Sequence, residues 1–195
     1  MTETVGRRAR KKEATRQALA DAALEMFLER GYDQVSVKEI ADAADVSTTT
    51  LFKHFPSKEA LVFDRDDDRE ATLVAVVRER PPGQSIPAAL CDHVLRSRSA
   101  AGLDDPRFVA FRRLIEDVPA LRTYSQRMWL RHETALAQAI AADICAPADD
   151  AACAALARFA LETVGLTHDR EDRDEAIRRV FDLLEHGWQG TPKDL

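Results

Sequence analysis

Within the seven residues Thr48 to His54 the chain sets three threonine hydroxyls, a lysine and an imidazole. Short hydroxyls let a helix approach a groove floor closely, where they meet base edges or a thymine methyl, while a cation and an imidazole suit phosphates and base acceptors. Leu51 and Phe55 lie four apart, so on a helix both turn inward and leave Thr48, Thr49, Lys53 and His54, with Thr50 near the edge, on the outer surface. A helix that enters a major groove by its N-terminus needs this distribution. A merely solvated polar face would show the same residue types, so the case turns on the elements that hold this face in place.

Those elements are written in capping signals. Ser36 with Glu39 forms a capping box, and Val35 and Ile40 occupy the two positions of a hydrophobic staple, which predicts a short helix from Val37. Ser47 is a second N-cap with Val46 and Leu51 as its staple pair, and Asp45 between the helices is a residue type that tolerates the left-handed conformation. Upstream, a helix is predicted from about Glu13 to Arg30, burying Leu19, Ala22, Ala23, Met26 and Phe27 and ending before Gly31. The three together read as a helix-turn-helix.

Residues from about Arg10 to Phe63 resemble the DNA-binding domain of the TetR family of bacterial transcriptional regulators. The resemblance is carried by Phe27-Leu28-Glu29-Arg30-Gly31-Tyr32, by Val37 with Ile40-Ala41, and by Val46-Ser47 followed by Thr50-Leu51-Phe52, His54-Phe55-Pro56-Ser57-Lys58. It implies that Lys38, Thr48, Thr49, Thr50 and His54 contact bases or the adjacent backbone, and that Lys58 binds a phosphate. With the outward Lys53 and the N-cap Ser47, these define the expected DNA face. Phe52 stands where the family usually carries Tyr, and Asp45 where it usually carries Gly. Lys58 has a separate argument: in the first turn of the next helix, behind Ser57 as N-cap, a cation opposes the helix dipole, and a docked phosphate reverses that sign.

The remaining chain predicts an all-α fold. Apolar residues recur at helical spacing between short Pro, Gly and Asp breaks, and strand patterns are nearly absent. A helix from Lys58 to about Arg80, about 34 Å long, leads to Pro81-Pro82-Gly83. Five amphipathic blocks follow at about 87–99, 106–117, 119–142, 149–167 and 172–188, with Pro87, Pro106 and Pro119 suited to first helical positions. The count is nine helices. The natural division is a DNA-binding domain, 1–57, and a ligand-binding and dimerisation domain, 58–195.

In the second domain the resemblance implies a cavity for a small-molecule inducer. Phe108, Phe111, Tyr124, Met128 and Trp129 are its candidate apolar lining, and His93, Tyr124, His132 and Glu162 its candidate polar groups; aromatic residues at helical spacing also suit a plain core. The last two blocks carry an assembly signal, a small-sided alanine-rich helix followed by a stripe of apolar residues at i, i+3, i+4, i+7. Ala152, Leu156, Phe159, Ile177, Val180, Phe181 and Leu184 are the candidate dimer interface, standing where the family forms a four-helix bundle across a two-fold axis.

Composition sets the bounds. The net charge of -6 over 195 residues is unexpected for a DNA binder. Up to Phe63, however, ten cations balance ten acids, and up to Arg16 six cations (Arg7, Arg8, Arg10, Lys11, Lys12, Arg16) face two acids (Glu3, Glu13), a basic arm suited to phosphates or a minor groove. There is no run of eighteen apolar residues and no signal-peptide pattern, so a cytoplasmic protein is expected. Cys91, Cys145 and Cys153 read as reduced thiols. A metal sensor using these with His93 and His132 is one rival, but Cys91 and His93 point about 200° apart on a helix and would not share a site. A small helical enzyme is the other, and no phosphate loop, H-E-x-x-H or nucleophile elbow supports it. The expectation is a homodimeric repressor, released from a palindromic DNA operator by a small-molecule inducer, with neither cofactor nor metal.

Overall fold

A computed structural model describes residues 2–101, 106–167 and 170–187, the backbone alone at 2–5 and 98–101. Among these residues there are nine α-helices and no strand: α1 Thr2–Arg30, α2 Val37–Ala43, α3 Thr48–His54, α4 Asp66–Arg78, α5 Ile86–Ala101, α6 Pro106–Asp117, α7 Pro119–Asp143, α8 Ala151–Thr167 and α9 Arg173–His186. Single 3-10 turns occupy Tyr32–Gln34 and Glu59–Leu61. Trp188, expected at the end of the last helix, lies outside the described residues.

The helices gather into two compact units. The first takes the chain up to Asp67 and adds α6 and the start of α7 to Arg127; the second holds the rest of α4, α5, α7 from Met128, α8 and α9. Compared with a cut at 57/58, this grouping sends α6 to the N-terminal unit, where it packs on α1.

In the first unit α1 buries Leu19, Ala20, Ala23 and Phe27. It begins well before Glu13: residues 7–12, five cations and Ala9, are good helix formers, and no proline interrupts the stretch. The basic cluster is therefore helical and exposed rather than an extended arm. The helix expected to start at Lys58 does not form as one piece: a 3-10 turn and further turns precede α4. Ala60, Leu61, Val62 and Phe63 are all buried. Four consecutive residues sweep around every side of an α-helix, so on a surface helix at least one would face solvent, and the turns seen here bury all four.

The second unit closes on Val77, Leu90, Val94, Leu136, Ile140, Ala157, Ala160, Ile177 and Phe181. Alanines at 157 and 160 let α8 lie close to α5 and α9, with which it packs. Arg80 staples the chain where α4 ends: its guanidinium donates to Val77 O (2.6 Å), Gln84 O (2.9 Å) and both oxygens of Asp143 (2.8 and 2.6 Å). Of the expected dimer residues, Ile177 and Phe181 belong to this chain's own core, 0% and 2% exposed. Leu156 and Leu184 pack partly against that core and Val180 is half-buried, whereas Ala152 and Phe159 are exposed. The apolar stripe of α9 is thus explained first by intramolecular packing.

Candidate nucleic-acid interface

The reading head is assembled from its caps. Ser36 Oγ accepts from Glu39 N (3.2 Å), and the Glu39 carboxylate accepts from Ser36 N (2.8 Å) and Ser36 Oγ (2.7 Å), the reciprocal box read from the sequence. Arg30 adds a 2.7 Å ion pair to Glu39 and a hydrogen bond to Gln34 O. The Ser36 backbone N–H, then Arg30 and the Ser36 hydroxyl, hold the Glu39 carboxyl down at about 2. Val35 and Ile40 are both buried as a staple pair.

The helix-turn-helix corner is a Schellman motif. Val46 N donates to Ala41 O (2.9 Å) and Asp45 N to Asp42 O (3.1 Å), with Asp45 at φ 53°. The left-handed geometry falls on Asp45, where an acidic side chain is tolerated but glycine carries no Cβ penalty. Ser47 then caps α3, accepting from Thr50 N at 3.1 Å, while its hydroxyl lies 2.9 Å from that of Thr50. With Leu51 and Phe55 buried beneath, α3 presents Thr49, Phe52 and Lys53 to solvent, Thr48 and Thr50 half-exposed beside them, and Lys38 exposed on α2. Phe52 is 49% exposed, an uncommon position for a phenyl ring on a surface helix.

Two of the residues expected at the DNA, His54 and Lys58, are half-buried. His54 is half-buried with its Nδ1 enclosed and without a hydrogen bond; burial, then Lys12 and Arg16, push its imidazole pKa down. Lys58 turns inward. Its ammonium donates to Tyr32 O at 2.6 Å and lies 4.0 Å from the Tyr32 ring centroid and 5.3 Å from that of Phe27. It also precedes a three-residue 3-10 turn rather than a long helix, so the expected dipole argument has no helix behind it.

Residues 19–64 match the family model described as bacterial regulatory proteins, tetR family. Over 143 residues the chain is 33% identical to the HTH-type transcriptional regulator TcmR of Streptomyces glaucescens, covering 70% of this chain and 63% of TcmR. Residues 19–64 thus carry the N-terminal domain of the TetR family. A 58-residue stretch, 30% of this chain and 27% of the relative, is 43% identical to the HTH-type transcriptional regulator RutR of Escherichia coli K12. The chain thus spans less than two thirds of the length of either relative. Salmonella enterica GusR shares the fold at TM-score 0.57 and 22% identity, with 89% of this chain and 95% of GusR covered.

The inducer candidates divide between the units. In the first, Phe108 and Phe111 are half-buried with centroids 6.4 Å apart, and Tyr124 stacks on Phe63 at 5.2 Å. In the second, Met128 and His132 are buried, Trp129 meets His132 edge-on at 5.6 Å, and Glu162 is exposed. His93 lines a cleft of about 310 Å³ between α4 and α5, with Thr72, Val76, Glu79 and Arg96. Burial and Arg96 lower its pKa. Among the described residues no three His, Cys, Asp or Glu side chains converge to hold a metal ion. Sequence reasoning gave no role to Tyr32, whose hydroxyl donates to Glu59 Oε1 at 2.9 Å, nor to Arg30. The signal was present in the family's Arg-Gly-Tyr run, but nothing in residue order says which way Lys58 turns.

Proposed function

We propose that this chain is a transcription regulator that binds double-stranded DNA as a homodimer, represses from a palindromic operator, and is released by a small-molecule inducer. One observation carries the DNA-binding part: α3 is a doubly anchored helix whose outer face offers Thr48, Thr49, Phe52 and Lys53 with no fold-internal use for them. Both curated relatives are named HTH-type transcriptional regulators, which supports the same reading. Among the described residues no helix is long and apolar enough to cross a membrane; the location proposed with this function is the cytoplasm. The protein works by binding and not by catalysis.

The homodimer is supported by an apolar stripe on α8 that the protomer leaves uncovered. Ala152, Ala155, Phe159 and Leu166 share one face at helical spacing, with the exposed Glu162 between the last two; Phe159 is 52% and Leu166 64% exposed, and Leu183 of α9 37%. A two-fold dimer requires half-sites on one DNA face, about one helical turn or slightly more apart. An inducer must bind better to the conformation that cannot span both half-sites, because a ligand without that preference shifts nothing however tightly it binds. His93 and its cleft are the described polar candidates for that ligand.

Mapping the protected DNA around the chain's own gene tests this directly. If a dimer neutralises about eight phosphates, log affinity against log salt should fall with a slope near -7. A shallow slope counts against DNA binding. Thr48→Ala or Lys53→Ala should change which base pair is preferred at one position, by about 1–3 kcal/mol.

A further inference from the structure

Between α1 and α6, both in the first unit, runs a groove of about 530 Å³, a volume in the range of small-molecule sites. Its apolar lining comes from Phe27 and Leu28 of α1 and from Val109, Ala110 and Leu114 of α6. Val109 is 40% exposed and Ala110 and Leu114 are half-buried, so this wall of α6 is left partly open to water.

Two charged side chains, Arg113 and Asp117, stand at the same groove one helical turn apart, their Cβ atoms about 6 Å from each other at that spacing. The spacing is that of an ion pair, and the parallel pair one residue earlier, Arg112 with Glu116, closes at 3.0 Å. Arg113 and Asp117 do not close, and among the described residues neither side chain has another charged or hydrogen-bonded partner. A guanidinium offers a planar fork that matches a carboxylate, and a carboxylate accepts from an ammonium. One cation and one anion beside an apolar lining complement a molecule that carries both charges on neighbouring atoms and an apolar body. An apolar acid or an apolar amine would satisfy only one of the two groups and be repelled by the other.

We propose that the α1–α6 groove binds a free α-amino acid with a bulky apolar side chain, its carboxylate on Arg113, its ammonium on Asp117 and its side chain against Leu28, Val109 and Leu114. The site shares no lining residue with the His93 cleft. Phe27, which lines the groove, meets the Tyr32 ring at 5.0 Å, and Tyr32 in turn accepts from Lys58 at its carbonyl and donates to Glu59 from its hydroxyl. An occupied groove therefore bears on the packing beneath the reading head. Binding stands on the groove alone, whereas its use in regulation rests on the DNA-binding function proposed above.

The experiment uses the full chain in equilibrium dialysis against L-tryptophan, against tryptamine, which lacks the carboxylate, and against indole-3-propionate, which lacks the ammonium. A ligand of about fifteen non-hydrogen atoms should bind with a Kd on the order of 1 mM or tighter, and each analogue about tenfold more weakly. Arg113→Gln should bring L-tryptophan to the affinity of tryptamine, Asp117→Asn to that of indole-3-propionate, and Ala110→Trp, which fills the groove, should abolish binding. Equal binding of the three molecules, L-tryptophan undiminished in Arg113→Gln, or no uptake at about ten times the expected Kd overturns the inference. The two charge variants are surface changes on α6 and decide the matter even where Ala110→Trp does not fold. Saturating L-tryptophan should then shift the operator affinity of the wild type by about fivefold or more and leave that of Ala110→Trp in place; an unshifted wild type overturns the regulatory use. A wild type that takes up the amino acid but shows a shallow salt slope upholds the site and overturns the DNA-binding function.

Discussion

Placing a carboxylate at Phe159 tests the assembly where the protomer leaves it open. The side chain is 52% exposed on α8, and a phenylalanine presents about 150–250 Å². Roughly 100 Å² per copy then remains to be covered, and a two-fold axis doubles it to about 200 Å². At about 25 cal/mol per Å² this is about 5 kcal/mol of association as an upper figure, more than a thousandfold in the dimer dissociation constant. Phe159→Glu removes that area and brings two like charges toward the axis, so a folded monomer at micromolar concentration is expected by sedimentation velocity, with operator binding lost although the reading head is untouched. Phe181→Glu is the informative contrast. Phe181 is 2% exposed inside the protomer, so an unpaired carboxylate there should collapse the helical circular dichroism itself. Should Phe159→Glu sediment as a dimer of undiminished stability, the α8 stripe is not the interface, and a monomeric wild type would remove the two-fold argument and the palindrome with it.

The other expectations are local. Phe52→Tyr places a hydroxyl on an exposed ring of the reading helix and should tighten operator binding by at most about 1.5–3 kcal/mol, measured by fluorescence anisotropy; no change at low and moderate salt would mean that α3 docks differently from the family pattern. Asp45→Gly relieves a Cβ at φ 53° and should raise unfolding stability by up to about 1 kcal/mol in urea titrations, net of the looser unfolded chain, whereas a loss would show that the aspartate makes a compensating contact. Glu39 has a folded-state pKa of about 2 against 4.5 unfolded, so its contribution is complete above about 4.5 and is lost as pH falls toward 2. Glu39→Gln should flatten the acid limb of the stability profile in that window, and identical limbs would contradict the capping assignment.

The residues that announced themselves in the sequence were those whose partners lie three to five positions away. Ser36 with Glu39, Ser47 with Thr50 and the left-handed Asp45 are short-range facts, and Pro106 and Pro119 open α6 and α7 as their fixed φ suggests. What sequence order left open depends on long-range packing. The run Ala60 to Phe63 reads as helix until its burial on every side is known. Ile177 and Phe181 have the spacing of an interface and of a core alike, and α9 is needed to close the second unit before it can serve a partner. The exposed face of α3 was legible because the helix is short and its inward residues are only two; the inward turn of Lys58 was not, because a lysine stem reaches several ångströms in any direction.

The early start of α1 gives the free protein an internal conflict. Arg7 and Lys11, and likewise Arg8 and Lys12, stand four apart on exposed helix, like-charge pairs that each cost a few tenths of a kcal/mol. Anything that neutralises these turns strengthens the helix, and a polyanion does so most. With the DNA-binding function proposed above, helix formation at the N-terminus and occupation of DNA are linked equilibria, each drawing the other forward. Salt enters with opposite signs: it weakens the complex by counterion competition while screening the repulsion that frays the free helix. Helicity of the unbound protein should therefore rise with ionic strength over the same range in which its DNA is released.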